Sequence, residues 1–254
     1  MTKGYLYLVP TPLDHGYPPE SWAPLPLLLP QATLERAATL QHWITENAKS
    51  TRAFLNRVNA TSPLVCPLQA MSLTELPRAI HKKGDHQTHD LSQAKMWLAP
   101  ALQGHNMGLA SEAGMPAIAD PGSSVVRAAH ALGVRVVPMS GPVSLMLALA
   151  ASGLNGQQFA FQGYLPVGDE RAPRIRQLEA YALQHGQAQI AIETPYRNAA
   201  LLQALVTTLK PNTRLAIAAG LTLEDSVISQ TVTDWRQKKP LPSIEGPAVF
   251  MWGP

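Results

Sequence analysis

The chain has 254 residues, enough for one large or two medium domains with a sizeable core. Hydrophobic residues make up 46% and charged ones 15%, a globular balance that argues against a disordered or low-complexity protein. The formal charge of +3 is compatible with a nucleic-acid partner without requiring one, and the single cysteine, Cys66, excludes an internal disulfide framework and a cysteine metal site. No apolar run approaches the length that spans a bilayer, and the chain opens on a strand-like run rather than a charged and then apolar leader. A cytoplasmic protein without a membrane span is expected.

Residues 5–9, Tyr-Leu-Tyr-Leu-Val, read as the first and central strand, closed by Pro10, Thr11 and Pro12. Residues 17–30 are rich in Pro and Leu and read as an irregular surface loop. Residues 31–41 have helical spacing, and Trp43 and Ile44 then lead into Glu46, Asn47, Lys49, Thr51 and Arg52. A carboxylate followed by two cations just after a strand fits either a phosphodiester contact or an ion-paired helix start on a solvated face. Residues 64–69 read as a third strand, and Ser72 with Glu75 has the spacing of a capping box, so a helix is expected from there. Residues 81–90 hold three His, two Lys and two Asp at spacings too irregular for a metal site, and read as a polar, mobile loop. Residues 91–102 return to helical spacing.

The stretch around which the chain is organised is 107–122, M-G-L-A-S-E-A-G-M-P-A-I-A-D-P-G. A short apolar run breaks at Ser111-Glu112-Ala113-Gly114, then makes two turns punctuated by Gly and Pro. Small residues at the end of a strand let a ligand approach the backbone, and in open parallel sheets ligands bind outside the carboxyl ends of the strands. The residues point to a ligand-binding corner of an α/β domain. After it come a helical face at 125–132, a β-branched strand at 134–138, the turn Ser140-Gly141-Pro142-Val143 and a buried helix at 145–151. In the second half, residues 169–185 form an amphipathic helix whose Arg171, Arg174 and Arg176 suit a solvated face or an RNA contact. Pro195 is placed to start a helix, and Glu193 is placed either to pair with Arg197 or to serve a cofactor. Residues 214–218, 225–232 and 248–252 are the last expected strands. No G-x-G-x-x-G follows a strand and no G-x-x-x-x-G-K-[ST] occurs, which disfavours a nicotinamide enzyme and a P-loop nucleotide hydrolase.

Residues 111–122 resemble the S-D-A-G-x-P-x-I-x-D-P-G signature of the tetrapyrrole methylase superfamily, in the branch that includes the bacterial small-subunit ribosomal RNA ribose 2′-O-methyltransferases. Further similarities follow in order. Thr11-Pro12-Leu13 is similar to part of G-T-P-I-G-N-L, with Pro10 in place of Gly and Asp14-His15 in place of Gly-Asn. Residues 46–55 are similar to E-D-T-R-x-T-x-x-L-L, retaining Glu46 and Thr51. Gly141-Pro142 is retained from P-G-P-S-A, residues 159–166 are similar to F-x-F-x-G-F-L-P, and Glu193, Pro195 and Arg197 are retained from Y-E-S-P-H-R. The chain departs at L-Q-A-M-S-L-T-E, where the ribosomal RNA enzymes have a His-Glu-His-Asn-like segment, and at Ala219-Gly220, where relatives have charged residues.

The resemblance implies two α/β domains without the usual methyltransferase Rossmann fold and with a cofactor cleft between them. Residues 1–140 would form a domain with a mostly parallel sheet and 141–254 one with a mixed sheet. It implies S-adenosyl-L-methionine as cofactor. Carried over residue by residue, the cofactor side would include Pro12, Glu112, Ala113, Gly114, Met115, Pro116, Ile118, Ser140, Gly141, Pro142 and Val143, with Leu165, Ala218, Ala219, Gly220 and Pro247 from the second half. Glu46 and Glu112 are the candidate catalytic carboxylates, and Lys49 and Arg52 the candidate substrate contacts. The implied activity is methyl transfer to ribosomal RNA, at the ribose 2′-O of a cytidine. A tetrapyrrole or other small-molecule acceptor, and a non-catalytic S-adenosylmethionine-binding paralogue, are the alternatives. The resemblance also implies a homodimer; no metal and no membrane partner is expected.

Overall fold

The computed structural model describes residues 2–77, 85, 90–223 and 227–254. The chain divides into two compact units. The first comprises Met1–His15 and Ala23–Val143, the second Gly16–Trp22 and Ser144–Pro254.

In the first unit, β1 (Tyr5–Leu8), β2 (His42–Thr45), β3 (Ser72–Glu75), β4 (Met107–Ala110) and β5 (Arg135–Pro138) form one sheet in the order β3-β2-β4-β1-β5. Every neighbouring pair is parallel. Its helices are α1 (Leu25–Leu28), α2 (Gln31–Ala38), α3 (Ala48–Asn59), α4 (Ser92–Trp97), α5 (Ala99–Leu102) and α6 (Ser123–Ala131). A parallel sheet covered on both faces reads as short apolar runs rather than as polar–apolar alternation, and this one does. Tyr7, Val9, Trp43 and Ala110 pack with α2 and α3 on one face, while Leu6, Ile44, Met107 and Leu109 pack with α4 and α6 on the other.

The middle of the sheet belongs to β4 rather than to β1, and all four β4 residues are buried. Gly108 is there for space. A Cβ added to it would lie 2.4 Å from the Trp43 ring, and Trp43 is wholly buried. The missing side chain of one strand thus makes room for the largest side chain of the next.

Two local expectations are corrected. Residues 64–69 are not a strand: Pro67 removes a ladder donor, and a 3-10 turn covers Leu68–Ala70. The strand is Ser72–Glu75, paired with β2 from His42↔Ser72 to Thr45↔Glu75, so the capping-box spacing does not open a helix. Instead, Glu75 Oε2 accepts from Ala48 N at 3.1 Å, placing a carboxylate at the start of α3. Within residues 17–30, a 3-10 turn forms at Pro19–Ser21 and α1 buries Leu25.

The second unit has a mixed sheet of β6 (Phe159–Phe161), β7 (Ala188–Glu193), β8 (Arg214–Ala219), β9 (Val227–Thr231) and β10 (Ala248–Gly253), in the order β6-β7-β10-β8-β9. Only β6 and β7 are parallel; β10 runs against both its neighbours, and β9 runs against β8. The helices are α7 (Ser144–Ser152), α8 (Arg171–His185), α9 (Pro195–Thr208) and α10 (Val232–Gln237). Period-two alternation sorts the strands between two cores. Ala191, Leu215, Ile217, Phe250 and Trp252 face α8, α9 and α10, while Ile190, Ala216, Ala218, Val249 and Met251 face α7. Arg171 is buried and donates to Pro166 O at 2.8 Å, so it is a structural tie and not part of a solvated arginine face.

Among the described residues, no helix is long and apolar enough to cross a membrane. The fit of Trp43 over Gly108 yields the first prediction. Gly108→Ala overpacks the centre of the first sheet and should lower stability by about 1–3 kcal/mol. Urea unfolding would show this as a lower midpoint at unchanged slope, and an unchanged midpoint would contradict it.

Candidate functional site

The corner after β4 is built by tying together the carboxyl ends of parallel strands. Thr11, after β1, and Gly114, after β4, exchange two backbone hydrogen bonds, Thr11 N to Gly114 O at 2.9 Å and Gly114 N to Thr11 O at 3.0 Å. Gly114 takes φ +79°, where L side chains are strained, and a Cβ there would press to 3.2 Å from Leu13 Cδ2. The end of β2 joins through Glu46, whose N donates to Ala110 O at 3.1 Å. Its carboxylate Oε2 then accepts from Glu112 N, also at 3.1 Å. Glu46 and Glu112 thus meet through a backbone amide, although 66 residues separate them.

A third carboxyl completes the group. Asp120 lies near Glu46 and Glu112, and its partial burial, reinforced by the Glu46 carboxylate, pushes its pKa up to about 8. The Ser111 hydroxyl pulls it back and Glu112 adds to the rise. Ser111 is 2% exposed, and its hydroxyl leans on Asp120 without completing a full hydrogen bond. His15 Nε2 stands 3.8 Å from Glu112 Oε2, while Asp14 turns the other way to an ion pair with Arg57 at 2.7 Å. Between Gly114 and Asp120 the chain takes a strained route: Ala117 and Ala119 both have left-handed φ, 65° and 63°, without being glycine. Each such residue costs on the order of 1 kcal/mol, strain of a kind that gathers at functional sites.

Of the first-unit candidates, Pro12, Gly114, Pro116 and Pro142 are buried. Glu112, Ala113, Met115, Gly141 and Val143 are half-buried, and Ile118 and Ser140 are exposed. The Ser140–Gly141 turn follows β5 and is fixed by Thr33 Oγ1, which donates to Ser140 O at 2.8 Å. Gly141 has no room for a side chain, since a Cβ would lie 2.3 Å from Pro10 Cγ. Pro10, a departure from the resembled motif, is therefore matched to Gly141. Lys49 and Arg52 are exposed on the first turns of α3, and Arg52 Nη1 reaches Ala48 O of its own helix at 3.5 Å. Asn47 caps that helix, its side chain accepting from Lys49 N and Ser50 N.

The second-unit candidates gather less tightly. Leu165 is a core residue, 4% exposed, and Ala218 is fully buried in β8. Gly220 follows at φ +61°, next to the Tyr17 hydroxyl, which donates to Glu245 O at 2.9 Å. Pro247 is exposed nearby. Tyr17 thus plugs the corner that the sequence leaves to small residues alone. Burial holds its pKa above the ordinary tyrosine value, against an opposing hydrogen bond from the Gly220 backbone and with a further rise from Glu245.

Sequence reasoning missed Asp120, which stood in the motif as one letter among twelve. It also missed Asp85, in the segment read as a polar loop. Residues 78–84 and 86–89, with the three histidines, lie outside the described residues. Asp85 itself is 2% exposed and accepts five hydrogen bonds from the backbone of Gly122, Ser123 and Ser124 and from both serine hydroxyls. It is the anion at the start of α6, holding the end of the central motif in place. Among the described residues, no group of three metal-ligating side chains occurs.

A carboxyl raised to about 8 ties stability to pH. The folded state keeps a proton that an unfolded carboxyl, with a pKa of about 4, releases, so stability is greatest below that value and falls as pH climbs towards 8. Asp120→Asn keeps the neutral form at every pH. Melting temperatures measured from roughly pH 5 to pH 9 should fall in the natural protein and fall less in the variant; parallel curves would contradict the assignment.

The comparisons with known proteins agree on one family. Residues 32–234 match the tetrapyrrole (corrin/porphyrin) methylases. The chain is 31% identical over 219 residues to the ribosomal RNA small subunit methyltransferase I of Synechocystis, covering 86% of this chain and 67% of that protein. It is 28% identical over 222 residues to the protein of the same name in Escherichia coli O157:H7, covering 87% of this chain and 66% of that one. A third, from Xylella fastidiosa, is 35% identical over 150 residues, 52% of its length. The chain thus spans about two thirds or less of these relatives. Among solved structures, the methyltransferase CobJ is similar in fold, with a TM-score of 0.52 at 16% identity over 98% of this chain and 94% of that one. With the family match running through most of both units, the chain belongs to the tetrapyrrole methylase family.

Proposed function

We propose that the protein is an S-adenosylmethionine-dependent methyltransferase that modifies small-subunit ribosomal RNA, at the ribose 2′-O of a cytidine. The observation that carries the reading is the carboxyl group of three, Glu46, Glu112 and Asp120, at the tied ends of parallel strands. Family membership supplies the cofactor, and the names of the relatives supply the acceptor. The corner suits such a ligand. It offers a buried serine hydroxyl without a full partner, a glycine at positive φ that joins the strand ends, and carboxylates to face a cation.

S-adenosylmethionine supplies a methyl group already activated on a positively charged sulfur. The protein's tasks are to align the acceptor, take up its proton and keep the corner in shape. Gly114 and the Ser140–Gly141–Pro142 turn shape the first-unit side of the cofactor site, with Met115, Pro116 and Ile118 along its edge. The acceptor hydroxyl gives its proton to the carboxyl group of three. Asp120, with a pKa near the working pH, is matched to that exchange, and Glu46 holds the Glu112 backbone in register. Lys49 and Arg52, exposed beside the corner, attract the phosphodiester of the substrate. In the second unit, half-buried Ala219 offers a small side chain to the adenine, beside the Gly220 corner that Tyr17 fills. We further propose, from the resemblance, a cytoplasmic homodimer that needs no metal.

Two measurements test this. Titration calorimetry should show S-adenosylmethionine and S-adenosylhomocysteine binding to the natural protein and failing to bind Gly114→Val, whose side chain fills the corner. Transfer of labelled methyl to small-subunit ribosomal RNA should fall about a hundredfold or more in Asp120→Asn, the usual loss when a proton acceptor is removed. In the natural protein the rate should rise with pH towards about 8. An absence of cofactor binding in the natural protein would overturn the reading.

A further inference from the structure

In the second unit, β6 and β7 run parallel, with Phe159↔Ala188 to Phe161↔Ile190 in register, and so deliver the loops that follow them to the same end of the sheet. The loop after β6 carries Tyr164 and is tied to β7 by Ile192 N, which donates to Gly163 O at 3.1 Å. The first turn of α9, which follows β7, carries Tyr196 and Arg197. The Arg197 guanidinium carbon lies 5.7 Å from the centre of the Tyr164 ring and 5.8 Å from that of Tyr196, so one planar cation serves both rings. The guanidinium is anchored from below. Glu193 Oε1 accepts from Arg197 Nε at 3.0 Å and Nη2 at 2.8 Å, and Glu193 is buried.

The rings themselves face water, Tyr164 at 49% and Tyr196 at 84% exposed. Core packing does not ask for this. A scattered exposed aromatic is ordinary; two of them arranged about one anchored guanidinium, at the carboxyl ends of parallel strands, form a prepared surface. Its charge is already balanced by Glu193, so it is poorly suited to draw phosphates. It offers flat π faces and a guanidinium plane, which is how proteins hold unstacked bases.

We propose that Tyr164, Arg197 and Tyr196 form a stacking platform for bases of single-stranded RNA. The proposal rests on the reading of the acceptor as RNA and adds a second contact, carried by the second unit, that grips bases rather than backbone. Because stacking releases no counterions, removing it should lower affinity while leaving the salt dependence as it was.

The test is fluorescence anisotropy of a labelled, unstructured pyrimidine RNA with the full chain, across a salt series. Tyr196→Ala and Tyr164→Ala should each weaken binding by about tenfold or more, with the slope of log affinity against log salt unchanged. Tyr196→Phe, which keeps the ring, should bind as the natural protein does. Calorimetry with S-adenosylhomocysteine should be the same in all of them, which shows that they fold. Unchanged RNA affinity in both alanine variants would overturn the platform while leaving the methyltransferase reading intact. A changed sedimentation coefficient at unchanged RNA affinity would also overturn it, assigning the rings to a contact between copies of the chain. If the natural protein binds no RNA, the platform and the RNA acceptor fall together, and cofactor binding alone decides the rest.

Discussion

The site in the first unit depends on the reciprocal backbone pair between Thr11 and Gly114. Parallel strands have no hairpins to hold their ends in register, so the ends splay unless something outside the ladder joins them. Here the segments leaving β1 and β4 exchange two hydrogen bonds, and Glu46 brings in the end of β2 by accepting from Glu112 N. The pairing needs a residue that tolerates positive φ against Leu13, and Gly114 meets that need. Once these ends are joined, Glu46, Glu112 and Asp120 have no freedom to separate, and the strained turn through Ala117 and Ala119 returns Asp120 to the group. Burial disfavours the charged form of Asp120, and the Glu46 and Glu112 carboxylates beside it add to the rise in its pKa.

The rest of the unit supports the corner at a distance. Asp85 fixes the start of α6, and so the end of the motif, through five hydrogen bonds. Pro10 and Gly141 fit together so closely that neither is independent of the other. Gly108 yields its space to Trp43 so that the strand carrying the motif can lie in the middle of the sheet. Stability and protonation are therefore joined at this corner: the proton that keeps Asp120 neutral also stabilises the fold.

Much of the fold was legible because its signals are local. The apolar runs around Leu6, Leu215 and Phe250 gave strands, and Pro195 marked the start of α9, with the pair from Glu193 to Arg197 closing one turn later. The motif at 111–122 located the corner, and Glu46 and Glu112 were found through it. What failed was non-local or environmental. The apolar content of 64–69 outweighed Pro67, and the polar Ser72–Glu75 became a strand because β2 offered it a partner. Tyr17 joins the second unit through contacts with Gly220 and Glu245, far along the chain. Asp120 could not be singled out by spacing, since its character comes from two carboxylates distant in sequence or across a strained turn. Exposure, likewise, is invisible in a sequence: Tyr164 and Tyr196 read as ordinary aromatics until their rings are seen to face water about Arg197.

The most direct measurement of the central claim is amide hydrogen exchange with and without S-adenosylhomocysteine. The account predicts slower exchange on binding at Thr11 and Gly114, whose amides join β1 to β4, and at Glu112, whose amide is held by Glu46. Binding that leaves these amides unchanged while protecting other parts of the chain would show that the joined strand ends are a structural clamp and not the ligand site.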